Sequence, residues 1–83
     1  MSRQERLMLK GLIAEKKQRI SELDFEMASL GAAIRDELPL FLDAEHWRTR
    51  IVLDSAQRLH NCRTEYDRLK AELGELKKKE WDE

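Results

Sequence analysis

Few side chains in this sequence are of types that do chemistry, and their spacing keeps them apart. The two histidines, His46 and His60, are fourteen residues apart, which on one helix is about 21 Å. They cannot share a metal ion. Asp43 and His46 stand at an i, i+3 spacing, which reads as a helix cap and a first-turn residue. Cys62 is the only cysteine. It excludes an internal disulfide, and it falls on an apolar stripe where a free thiol serves as a small hydrophobe. The sequence holds no Cys-x-x-Cys, His-Glu-x-x-His, glycine-rich phosphate loop or nucleophile motif. Its carboxylates are scattered among lysines and arginines, with no pocket expected to perturb them. The expectation is a protein without catalysis, cofactor or metal.

What remains is contact surface, and the elements that carry it are helical. The 83 residues suffice for one domain, and a chain this short buries only a modest part of its surface. Charged residues make up 40% while the net charge is -1, which describes a solvated surface of mixed sign and not a polycation. An apolar content of 41% argues against disorder. No run of β-branched and aromatic residues alternates with polar ones as a strand would. Abundant Leu, Glu, Lys, Arg and Ala is the composition of long helices and coiled coils. No apolar stretch reaches the length of a membrane span. The first residues, Met-Ser-Arg-Gln-Glu-Arg, lack the apolar core of a signal peptide, so the expected location is the cytoplasm.

Ser2 followed by Glu5 is a capping-box pattern that starts a first helix, about residues 3–37. In a heptad frame its a positions include Ile13, Ile20, Met27 and Ile34, and its d positions Leu9, Lys16, Leu23 and Leu30. Pro39, the only proline, cannot continue this helix and pushes Leu38 out of the α region. The turn is expected over about 38–43, with Asp43 capping a second helix over about 44–80. That helix has Val52, Leu59, Tyr66 and Leu73 at a, and Ser55, Cys62, Leu69 and Leu76 at d.

A short break between two long helices makes them antiparallel neighbours. Facing residues then share a constant sum of residue numbers. A sum of 82 pairs Leu23 with Leu59, Ile20 with Cys62, Lys16 with Tyr66 and Leu9 with Leu73. It centres the turn on residue 41, inside the break that Pro39 marks independently. Charge agrees: residues 1–19 carry +4, 20–45 carry -6, 46–70 carry +3 and 71–83 carry -2. Folding at residue 41 sets opposite charge side by side at both ends, which fixes orientation better than it adds stability. The predicted fold is all-α, two long helices in an antiparallel coiled-coil hairpin, assembling into a four-helix bundle or higher oligomer.

Three features are candidates for function. Flanking g positions pair Arg19 with Glu65 and Glu26 with Arg58, whereas the e positions bring Lys10 toward Lys70 and Lys17 toward Arg63. The result is a basic edge that an acidic helix or a nucleic-acid backbone would neutralise. The simpler reading is that these side chains splay into water, with Asp67 one turn from both Arg63 and Lys70. No aromatic interleaves the stripe in sequence, which disfavours nucleic acid. Second, apolar residues exceed what two helices cover: Leu38, Leu40, Phe41, Leu42, Trp47 and Ile51 near the turn, and Leu7, Met8, Leu12 and Trp81 at the open end. Some of these would seal the loop as a local core. Phe41, Leu42, Trp47 and Ile51 are the expected contact anchors. Third, Lys16 and Ser55 are polar seam positions that set register, or simply tolerate polarity. The function expected is a non-enzymatic protein-interaction module (adaptor, chaperone or assembly factor) that binds itself or another helical protein. The alternative is a nucleic-acid accessory protein using Lys10, Lys17, Arg63 and Lys70.

Overall fold

The computed structural model describes residues 2–81 of the chain, with side chains as far as residue 80. Helix α1 spans Arg3–Glu37, a single 3₁₀ turn spans Ala44–His46, and helix α2 spans Thr49–Trp81. No strand occurs among the described residues. Arg19 of α1 meets Glu65 of α2, while Glu37 meets Arg48 at the start of α2. Numbers rise along one helix as they fall along the other, so the pair is an antiparallel hairpin, 63 × 17 × 14 Å.

The helices form where the residue types require. Ser2 is extended and its hydroxyl accepts the Glu5 N–H at 3.2 Å, which satisfies one of the first-turn donors. At the other end Leu38 leaves the α region, and its N–H bonds Arg35 O at 3.3 Å in a tightened last turn. Pro39 then reverses the chain through a turn closed by Leu42 N–H to Pro39 O at 2.9 Å.

The second helix starts later than the sequence suggests. Residues 44–46 form the 3₁₀ turn, Asp43 makes no side-chain cap bond, and Trp47 is extended. An α-helix starting at residue 44 would put Trp47 on its outer face in water. Breaking the chain there lets the indole turn back and donate Nε1–H to Pro39 O at 3.1 Å. Pro39 O thus accepts from both Leu42 and Trp47, and the loop is tied across its own width. Arg48 N–H bonds Glu37 O at 3.3 Å, which joins the end of α1 to the start of α2.

The core is the heptad seam, and it is tightest away from the turn. Leu9, Ile13, Ile20 and Leu23 of α1 are buried with Cys62, Leu69 and Leu73 of α2. Among the described residues Leu23 alone is completely enclosed, at 0% exposure. Toward the turn the seam residues Met27, Leu30, Ile34, Val52, Ser55 and Leu59 are only half-buried. Small side chains explain the change. Ser55 and Ala56 supply little volume there, and Gly31 supplies none.

Candidate interaction surfaces

The g-flank of the seam is held by ion pairs. Arg19 engages Glu65 through Nε at 3.0 Å and a second guanidinium nitrogen at 3.1 Å, the two-pronged geometry that fixes register best. It also reaches Glu22 at 3.3 Å. Arg19 holds the Glu65 carboxyl below its ordinary value of 4.5. The predicted partner pair, Glu26 with Arg58, does not form. Glu26 instead faces Cys62, whose thiol is pushed up first by burial and then by that carboxylate. Cys62 is free and buried. A protonated, enclosed thiol is a packing group.

Lys16, the cation at a seam d position, does not stay in the seam. Its Nζ reaches Glu72 Oε2 at 2.7 Å, and it lowers the Glu72 carboxyl from 4.5. The side chain spans the seam edge with its stem covered and its head paired. Tyr66, which the register sets opposite Lys16, is half-buried.

On the e-flank the structure places Lys10, Lys17, Arg63 and Lys70 exposed along one edge. Arg63 pairs with Asp67 at 2.9 Å. Lys70 does not use Asp67. It lies over the Tyr66 ring, 5.5 Å from the centroid, while Arg63 lies 5.8 Å from the same centroid. An aromatic therefore sits inside the basic edge, contrary to the reading of the stripe from sequence. The i, i+3 and i, i+4 spacings of Arg63, Tyr66 and Lys70 carry that signal once Tyr66 is treated as part of the edge and not only of the seam. No ion pair involves Lys10 or Lys17 among the described residues.

The tip divides into a clamp and an exposed apolar surface. Trp47 is half-buried and spent on the loop through its bond to Pro39. Phe41 is 87% exposed and Leu40 78%, and Leu42 and Ile51 are exposed at 44% and 41%. Phe41 and Leu40 border a shallow concavity of about 430 Å³, completed by Arg35, Asp36, Leu38 and Pro39. At the open end Met8 and Leu12 are exposed beside Leu76 in a smaller depression of about 240 Å³. The side chain of Trp81, grouped with them from sequence, lies outside the described residues.

Among the described residues no three His, Cys, Asp or Glu side chains gather as a metal site. No helix among them is long and apolar enough to cross a membrane. No family model matches the chain, and neither does any curated protein or any solved structure.

Proposed function

We propose that the chain is a non-enzymatic protein-interaction module of the cytoplasm, an adaptor, chaperone or assembly factor that works through its coiled-coil and tip surfaces. The observation that carries this is the tip. Phe41 and Leu40 stand in solvent on a loop whose shape is fixed by two hydrogen bonds to Pro39 O. Exposed apolar side chains on a pre-ordered loop bind with little further entropy loss. Clustered apolar exposure of this kind marks a contact surface. A single free, buried cysteine suits a reducing compartment.

The tip serves first for self-association. Two hairpins meeting near their tips would cover Phe41, Leu42 and Ile51 on each, and a two-fold pairing of this kind closes without further growth. Solution mass by light scattering tests it. The wild type is expected at twice the 9.9 kDa chain mass or more. Phe41→Ser combined with Leu42→Ser should bring the mass down toward one chain while helicity by circular dichroism is unchanged. The same mass in both proteins would remove the tip from the interface.

A further inference from the structure

One long edge of the hairpin carries two kinds of surface in series. On the open half, Lys10 and Lys17 of α1 lie along the edge with Lys70 and Arg63 of α2, and Arg3 and Lys77 are exposed one heptad further on. Within each helix successive cations are seven residues apart, about 10.5 Å. Asp24 is the one acidic residue in the same heptad positions. On the tip half those positions are held by Asp24 and Gly31 on α1 and by Thr49 and Ala56 on α2, of which Gly31 and Ala56 add almost no bulk. They leave Met27 and Leu59 half-buried in a groove of about 380 Å³, whose other lining residues are Ala56, His60 and Arg63. A Cβ on Gly31 would meet nothing within 4 Å, so the edge is open there as well. Arg63 belongs to both halves, lining the groove and flanking Tyr66.

We propose that this edge docks an amphipathic helix of another protein. That helix is apolar over the half that meets Met27 and Leu59. Over the half that meets Lys10, Lys17, Arg63 and Lys70 it is acidic, at heptad spacing. The inference is independent of the tip. Charge and spacing identify the occupant. Cations repeating every seven residues match carboxylates repeating at the same interval on a helix laid alongside, and an apolar groove in line with them matches the apolar stripe of that helix.

Symmetry excludes a second copy of this chain paired edge to edge. A two-fold axis along the hairpin would set basic half against basic half. A two-fold axis across it would set each basic half against the other's apolar groove. Both leave lysines unneutralised or desolvated. Nucleic acid would neutralise the lysines but leaves the groove unused, and it would meet a chain of net charge -1.

The test uses the full chain and three probes. The first is a labelled helical peptide with leucines on its contact stripe in one half and glutamates at heptad spacing in the other. The second is the same peptide with lysines replacing the glutamates. The third is a labelled DNA duplex of similar length. Fluorescence anisotropy should show the glutamate peptide binding more tightly than the other two. Lys10→Glu with Lys17→Glu should weaken it about tenfold, and Ala56→Lys, which fills the groove mouth, should weaken it comparably. Circular dichroism of each variant shows whether the hairpin is retained. Equal binding of the glutamate and lysine peptides overturns the proposal, as does no binding of either. Tighter binding of the duplex, falling steeply with salt, overturns it in favour of nucleic acid.

Discussion

At the scale of single residues, burial separates side chains that the heptad pattern treats alike. Leu23 and Leu59 face each other in the predicted register and carry the same side chain. Leu23 is wholly enclosed, whereas Leu59 is half-buried at the edge of a groove. Leu23→Ala should therefore cost about 2–5 kcal/mol in a urea titration, because the seam cannot collapse onto the hole. Leu59→Ala should cost roughly half as much, since part of its surface already meets water. Equal losses at the two sites would show that Leu59 is packed as tightly as the Leu23 it faces. Cys62 and Lys16 make a similar contrast. The stripe alone marks Cys62 as a packing group, and burial keeps its thiol protonated. The fate of Lys16 needs the third dimension, because its partner Glu72 lies on the other helix, more than one turn beyond the Tyr66 that the register sets opposite it.

At the scale of the elements, the two helices and their break were legible in the sequence, and the details of the turn were not. Leu9 through Leu73 announce a seam, Pro39 announces the break, and the pairing of Arg19 with Glu65 follows from the register. The start of α2 was not legible, because Asp43 satisfies the local rule for a cap while Trp47 obeys a longer-range contact with Pro39. The aromatic character of the basic edge was hidden for a related reason, since Tyr66 occupies a seam position and yet shows its ring to Arg63 and Lys70. Glycine in α1 gives an element-scale prediction. Gly31 is helical, without positive φ, and a Cβ there meets open space. Gly31→Ala should stabilise the hairpin by up to about 1 kcal/mol, a rise of roughly 4–8 °C in Tm for a domain of this size. A fall in Tm by calorimetry would mean that another backbone already approaches that point, as in an oligomer packed on the groove.

At the scale of the whole molecule, the segregation of charge along the chain agrees with the way it folds back. The acidic second half of α1 is set beside the basic first half of α2, and the basic start of α1 beside the acidic end of α2. A parallel pairing would oppose like charges along the full length. Most of these contacts are solvent-exposed and individually weak, but Arg19–Glu65 and Lys16–Glu72 cross between the helices at partly covered sites. Both carboxyls titrate below the ordinary glutamate value of 4.5 in the folded chain. A depressed carboxyl contributes stability that is fully present above its unfolded pKa and is lost as pH falls through its folded one. The Tm should therefore hold steady above pH 4.5 and decline below it as these two groups take up protons. Glu65→Gln with Glu72→Gln should lower Tm at neutral pH, shrink the acid decline, and bring the two proteins together at low pH. High salt should narrow the difference between them at neutral pH, because partly exposed pairs are screened. An acid decline of equal size in wild type and double variant would place the pH sensitivity in the general build-up of positive charge, and would leave the apolar seam as the main determinant of the antiparallel register.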